Sequence, residues 1–447
     1  MSELIISVSG LRGIIGTTLT PVIAGKFVAA FSKQLPAGPI LIGRDGRSSG
    51  PMLKQAIIAA LTASGRDCVD MDVAATPTVG VLVRQWGAAG AVQISASHNP
   101  PPYNGIKLFG GAGRVLDAKT GSAIRDAYFA NEADWAPFDQ LGTVTVEADP
   151  HAAHLAAVLA TVDVEAIRKA APRVLLDSNH GAGSILGKRL LESLGCEAIV
   201  VGDQPDGKFA HVPEPTAENL AGIATKVREH DCAVGFCQDP DADRLALVDG
   251  DGRYIGEEFT LALCVKRAMA SEATRGPIVI NGATSGMSER LAAEYEVPAY
   301  RSAVGEANVA DMMIAKQAAY GGEGNGGPID PRVGYVRDSF VGMAQVLELM
   351  VSSGQTLAEL ANGLPQLHIH KSKASVTADQ LPSLFEALTE KFPEAKAQTG
   401  DGLRLAWADK WLLVRGSNTE PIVRLIAEAE TEAEATALCD SAAELIK

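Results

Sequence analysis

Three aspartates at alternate positions, Asp239, Asp241 and Asp243, stand in the run Asp-Pro-Asp-Ala-Asp-Arg that ends at Arg244. Carboxylates this close repel one another unless a cation gathers them. Three oxygen donors that leave room for a phosphate oxygen and water suit Mg2+. The opening resembles a calcium-binding EF-hand loop, but the sixth and twelfth places hold Arg244 and Gly250 instead of Gly and Glu, which excludes that loop. A solvated acidic turn is the plain alternative. A second group, Ser95-Ala96-Ser97-His98-Asn99-Pro100, follows an apolar run. Pro100, Pro101 and Pro102 stop any helix, so Ser97 is expected on a rigid, exposed loop. A serine nucleophile needs an activating neighbour. His98 is adjacent, and Lys107 returns towards the same place along the next expected strand. The GxSxG elbow of hydrolases is absent.

Further groups carry cations or sugar-type hydrogen-bonding partners. Arg415-Gly416-Ser417-Asn418-Thr419-Glu420-Pro421, with Arg424 beyond it, combines small hydroxyl and amide residues with two arginines that suit a phosphate. Gly321 to Gly327 is a glycine-rich loop with one carboxylate, Glu323, and one carboxamide, Asn325, both able to bond sugar hydroxyls. Ser9-Gly10-Leu11-Arg12-Gly13 and Gly43-Arg44-Asp45-Gly46-Arg47 are arginine loops after apolar runs, with a structural role as the alternative. Gly181 to Lys188 imitates a P-loop, but Ala182 takes the first glycine position and Arg189 follows the lysine, so it is expected to be a plain strand-to-helix turn.

The elements that must carry these groups alternate. Strands are expected at 40–43, 67–73, 91–95, 173–177, 197–201, 277–281 and 299–302, with helices at 51–64, 151–162, 184–194 and 287–295. That alternation predicts α/β layers with parallel or mixed sheets, repeated three times. From His368 the texture changes to helix, strand, strand, helix, with pieces at 403–407, 410–414 and 422–427 and a helix from Thr431, which predicts a smaller α+β unit. Polar stretches at 138–150 and 354–365 mark boundaries. The expected domains are 1–148, 149–253, 254–365 and 366–447. A net charge of −15 disfavours nucleic acid and anionic lipid as partners. No apolar run is long enough for a membrane span, and the N-terminus lacks a secretion signal. Six scattered cysteines without metal-type spacing are expected to be free thiols in a reducing cytoplasm.

Together these segments resemble the α-D-phosphohexomutase superfamily, in the same order along nearly the whole chain; Pro205 to Phe209 and Pro213-Glu214-Pro215 add to the likeness. The resemblance implies four domains around a central cleft, three similar α/β mixed-sheet modules and a smaller α+β C-terminal domain. It implies a phosphoserine at Ser97, with Mg2+ held by Ser97, Asp239, Asp241 and Asp243. Arg12, His98 and Lys107 would line the reacting site beside Arg244, and Lys107 or Arg12 would handle a proton or steady charge. Arg415, Ser417, Asn418, Thr419 and Arg424 would hold the phosphate not in transfer; Glu323 and Asn325 would face the sugar. A hexose 1,6-bisphosphate would act as activator. The common sugar loop reads Glu-x-Ser-Gly-His; here Asn325 replaces the Ser and Gly327 the His. The variant resembles the phosphoglucosamine mutase subgroup, so interconversion of glucosamine 6-phosphate and glucosamine 1-phosphate is the expected activity, in a monomer or homodimer. Glucose or mannose phosphates are the nearest alternative substrates. A metal-dependent phosphatase with an aspartate nucleophile, and a sugar-phosphate-binding protein without turnover, are the alternatives from other classes.

Overall fold

A computed structural model of the chain describes residues 4–7, 10–416 and 422–446. Its strands fall into four sheets. In the first, the neighbouring parallel strands Ile40–Arg44 and Gly90–Ile94 lie at the centre, and Tyr103–Gly110 runs antiparallel to Gly90–Ile94. The second sheet, in order, is Glu197–Val201, Arg173–Asp177, Val234–Gln238 and Leu245–Asp249. The third is Ala299–Ser302, Ile278–Asn281, Tyr320–Glu323 and Gly327–Ile329. In each of these two the first three strands are parallel and the last turns back antiparallel. Gly90–Ile94, Val234–Gln238 and Leu245–Asp249 are buried along their whole length. Helices on both faces explain why these strands read as continuous apolar runs. The fourth sheet is antiparallel throughout, in the order His368–Ser375, Ile422–Ala429, Trp411–Gly416, Gly402–Ala406, Lys396–Gly400.

Three similar α/β units and a smaller C-terminal α+β unit therefore match the expected architecture. Arg173–Asp177, Glu197–Val201 and Ala299–Ser302 occupy the expected positions. Two expectations need correction. The polar stretch at 138–150 contains a strand, Val144–Val146, which pairs with the edge strand Cys68–Val73. The C-terminal unit opens on a strand, His368–Ser375, instead of a helix; its long pairing with Ile422–Ala429 supplies the stability that its polar sequence does not advertise.

Apolar packing does not stop at the second boundary. One continuous buried cluster joins Leu176, Leu190 and Phe236 of the second unit to Leu261, Ile280 and Phe340 of the third. The helix Ser339–Ser353 is the shared element, and its N-cap Asp338 accepts from the backbone N–H groups of Phe340 and Val341. The C-terminal unit has its own core around Leu388, Leu405 and Val414. Among the described residues no helix is long and apolar enough to cross a membrane.

Candidate active site

The chemically interesting loops leave the carboxyl ends of parallel strands, where open α/β sheets gather their ligands. Ser97 follows Gly90–Ile94, the aspartates follow Val234–Gln238, and Glu323 ends Tyr320–Glu323. Ser97 adopts a left-handed backbone (φ 48°). Its Oγ donates to Asp239 Oδ2 at 2.7 Å and lies 3.3 Å from His98 Nδ1. The expected exposed loop is in fact covered. Ser97 is only 3% exposed, because the aspartate hairpin of the second unit closes over it.

The three aspartates are fully buried, and a carboxylate oxygen of each lies within 4.8 Å of the others. Cationic and hydroxyl side chains from other units hold them together. Lys107 Nζ donates to Asp241 Oδ2 at 2.5 Å and to Asp243 Oδ2 at 2.8 Å. Thr76 Oγ1 donates to Asp241 Oδ2 at 2.5 Å, and Arg337 Nη2 to Asp243 Oδ2 at 2.7 Å. The Asp243 and Arg244 backbone N–H groups reach Asp239 Oδ1 at 3.2 Å. Oδ1 of Asp241 and Oδ1 of Asp243 remain buried with no hydrogen-bond partner among the described residues.

Proton affinities follow from this arrangement. Burial, then the charges of Asp243 and Asp241, raise the pKa of Asp239 well above the usual carboxylate range. Burial opposes ionisation of Asp241 too, but Lys107 and Thr76 prevail and lower its pKa. For Asp243, burial is outweighed by Arg337, Lys107 and Arg244, again with a lowered pKa. Burial alone would lower Lys107; Asp241 and Asp243 outweigh it and raise its pKa. Burial, with Arg244 and Arg12 nearby, pushes His98 down to about 3, so its ring is neutral near pH 7.

The other expected site residues are partly assembled here. Arg12 Nη1 donates to Asn99 Oδ1 at 2.6 Å, beside Ser97. Arg244 Nε is buried without a hydrogen bond among the described residues, 3.9 Å from Asp243 Oδ1. Glu323 is turned inward, accepting from Asn281 Nδ2 at 2.8 Å, Arg337 Nη1 at 3.0 Å and Gly305 N at 3.2 Å. Asn325 Nδ2 reaches the same carboxylate at 3.4 Å. Arg415 Nε donates to Asp401 Oδ1 at 2.5 Å, and Arg424, its cross-strand neighbour, is exposed. Ser417, Asn418 and Thr419 lie outside the described residues. Sequence reasoning missed Thr76, Glu306 and Arg337. Arg337 links Asp243, Glu306 and Glu323 in one buried network; its only local signal is its place before the helix cap Asp338.

Comparison with known proteins agrees with this four-part architecture. The family models for phosphoglucomutase/phosphomannomutase alpha/beta/alpha domains I, II and III match residues 4–135, 149–252 and 257–368, and the C-terminal domain model matches 373–445. A phosphoglucomutase/phosphomannomutase of Thermococcus kodakarensis is 36% identical, over 95% of this chain and 94% of its own. A probable phosphoglucosamine mutase of Methanopyrus kandleri is 31% identical, over 98% of this chain and 97% of its own. The crystal structure of a phosphoglucomutase/phosphomannomutase family protein from Burkholderia thailandensis superposes with a TM-score of 0.83 at 26% identity, covering 99% of this chain and 97% of that one. With all four domain models matched in order and relatives this similar along nearly the full length, the chain belongs to the phosphoglucomutase/phosphomannomutase family of the α-D-phosphohexomutase superfamily, and is a phosphohexomutase.

Proposed function

We propose that this phosphohexomutase carries its phosphoryl group on Ser97 and interconverts hexose 6-phosphates and 1-phosphates, with the glucosamine phosphates as its preferred pair. One observation carries the reading. Ser97 Oγ stands 2.7 Å from Asp239 Oδ2, beside a carboxylate triad with two buried oxygens left unbonded. Unpaired buried carboxylate oxygens are costly, and an all-oxygen donor set of this type fits Mg2+. Asp239, Asp241, Asp243 and a phosphate oxygen on Ser97 would hold it. When bound, Mg2+ neutralises charge on the transferring phosphoryl group.

The side chains divide the remaining work. Phosphorylated Ser97 faces a sugar monophosphate. The Ser97 Oγ–P bond breaks, a sugar O–P bond forms at the free hydroxyl, and that hydroxyl's proton ends on Ser97 Oγ. The resulting bisphosphate reverses in the site and returns its other phosphate to Ser97. Lys107, paired with Asp241 and Asp243, holds positive charge beside the transferring phosphoryl group. Arg12 does the same, since a guanidinium keeps its proton. Neutral His98 lies beside Ser97 Oγ and is too weak a base to keep a proton, so the sugar hydroxyl's proton passes to the departing Ser97 Oγ. Arg415, Ser417, Asn418, Thr419 and Arg424 would grip the distal phosphate; Arg244, Glu323 and Asn325 would meet the sugar. A hexose 1,6-bisphosphate primes unphosphorylated protein. Six free cysteines suit work in a reducing cytoplasm.

Asn325 and Gly327 in the sugar loop, and the Methanopyrus kandleri relative, support the amino-sugar preference. The higher identity of the Thermococcus kodakarensis relative keeps glucose and mannose phosphates as the second reading. The test is 31P NMR with Mg2+ and a trace of glucose 1,6-bisphosphate, offering glucosamine 6-phosphate, mannose 6-phosphate and glucose 6-phosphate separately. The 1-phosphate resonance should grow fastest from glucosamine 6-phosphate and vanish in Ser97→Ala. Equal growth in all three tubes would make this a broad hexose enzyme. Full turnover by Ser97→Ala would sink the phosphoserine route, and free phosphate without isomerisation would turn the reading towards a phosphatase.

A further inference from the structure

The loop Gly43 to Arg47 leaves the strand beside the one that carries Ser97, and both loops emerge at the same sheet end. Arg47 is only 2% exposed, although it carries a full positive charge. Its Nη2 donates to the carbonyl oxygens of Ser97 at 2.7 Å and Asn99 at 2.6 Å. Its Nη1 donates to the carbonyls of Pro100 and Tyr103, each at 2.9 Å. Its Nε donates to Asp45 Oδ2 at 3.2 Å. A guanidinium has five N–H groups, and all five are used. None remains for a ligand.

Asp45, completely buried, joins this side of the loop to the other. Its Oδ2 also accepts from Ser95 Oγ at 2.8 Å, and Ser95 Oγ accepts in turn from the Ser97 backbone N–H at 2.9 Å. Both backbone groups of Ser97 are thus gripped, the N–H through Ser95 and the carbonyl through Arg47. That grip sustains a left-handed conformation that costs a non-glycine residue on the order of 1 kcal/mol or more. The far face of the guanidinium meets the second unit, with the Phe209 ring centroid 5.0 Å from Arg47 Cζ. Gly46 packs there as well. A Cβ at Gly46 would lie 2.2 Å from the His180 carbonyl oxygen, so the two units touch backbone to backbone at this point.

We propose that Arg47, fixed by Asp45 and capped by Phe209, is a positioning residue for phosphoryl transfer. It holds the Ser97 loop in the left-handed turn that aims Ser97 Oγ at Asp239, and it couples that aim to docking of the first unit on the second. The proposal rests on the reading of Ser97 as the phosphoryl carrier. Lysine cannot replace this residue, because its three donors cannot span four carbonyls and a carboxylate.

The experiment compares the full-length wild type with Arg47→Lys, Arg47→Ala and Phe209→Leu. Glucose 1,6-bisphosphate is the phosphoryl donor, and Ser97 phosphorylation is followed by quenched-flow intact mass. Steady-state kinetics on a sugar monophosphate and thermal melts accompany it. A misplaced nucleophile loses about a hundredfold in rate. Arg47→Lys should therefore be phosphorylated about a hundredfold more slowly, with KM changed by no more than about twofold. Added guanidinium should restore part of the rate to Arg47→Ala. Phe209→Leu, the mildest change, should slow transfer about three- to tenfold through the lost cation–π contact. A folded Arg47→Lys phosphorylated at the wild-type rate overturns the proposal. So does a loss that appears as a raised KM, which would make Arg47 a substrate ligand. If Arg47→Lys fails to fold, wild-type rates in Phe209→Leu overturn it instead. A wild type that takes no phosphate on Ser97 overturns the underlying carrier reading, a result distinct from all of these.

Discussion

Asp239 differs from its two neighbours in having no cationic side chain bonded to it among the described residues: Lys107 serves Asp241 and Asp243, Arg337 serves Asp243, and Asp239 receives a serine hydroxyl and backbone N–H groups. Burial and two adjacent carboxylates therefore raise its pKa, and below that raised pKa it holds a proton. A divalent cation entering the triad must displace this proton, so metal affinity rises with pH and levels off once Asp239 ionises unaided. Below that point Mg2+ affinity should weaken about tenfold per pH unit. Calorimetric titration of unphosphorylated protein at stepped pH checks the direction, and two buffers of different ionisation enthalpy count the proton released. A dissociation constant that stays flat across these steps would mean that Asp239 is already ionised. Asp239→Asn should remove the dependence along with most of the affinity.

The sugar loop is held by its neighbour as much as by its own sequence. The Leu245 backbone N–H donates to the Gly326 carbonyl at 2.8 Å, so the loop of the third unit hangs on the strand that follows the aspartates. Gly326 has φ +80°, and a Cβ there would lie 2.4 Å from the Leu245 carbonyl oxygen. Gly326→Ala combines a strained backbone with a backbone clash and should cost about 2–3 kcal/mol of stability, read as a urea midpoint shift. It should also lower kcat/KM, because Glu323 and Asn325 move with the loop; a variant with wild-type kinetics would show that the loop tolerates the shift. This dependence marks where the sequence was legible. Strands such as Arg173–Asp177 and Glu197–Val201 are apolar runs between turn signals, and their limits can be read directly. The Ser97 and aspartate loops are short motifs whose residue types suffice to identify them. Val144–Val146 is exposed throughout and exists only because Cys68–Val73 offers it an edge. Arg337 stands 94 residues from the Asp243 carboxylate it neutralises, and no local pattern marks such a partner. Ser97 read as exposed because the hairpin that covers it lies 142 residues further on.

The first three units are joined by polar contacts as well as by the shared apolar cluster, and the joint lies close to the aspartates. His154, completely buried, sits with Nδ1 2.8 Å from Thr78 Oγ1 and Nε2 2.7 Å from Asp338 Oδ2. These residues come from Thr76–Trp86 of the first unit, Ala152–Leu159 of the second and the cap of Ser339–Ser353 in the third. Thr76, at the start of the first of these helices, is the donor to Asp241. The joint therefore fixes one side of the aspartate cluster. The C-terminal unit is tied on differently, through Asp401 Oδ2 to the Val304 N–H at 2.7 Å and Glu428 Oε1 to the Gly286 N–H at 2.8 Å, around a separate core. His154→Ala leaves a cavity and strips a hydrogen bond from Asp338 and Thr78, each a buried group that no water easily serves; the loss should be about 2–4 kcal/mol. Because the damage falls at a three-way joint, calorimetry should show the first three units melting earlier while the C-terminal transition stays in place. Mutase activity should fall even at temperatures where the variant is folded, since Thr76 loses its backing. A melting profile that shifts as one body would mean the C-terminal unit unfolds with the rest, and an unchanged profile would reduce His154 to inert filling.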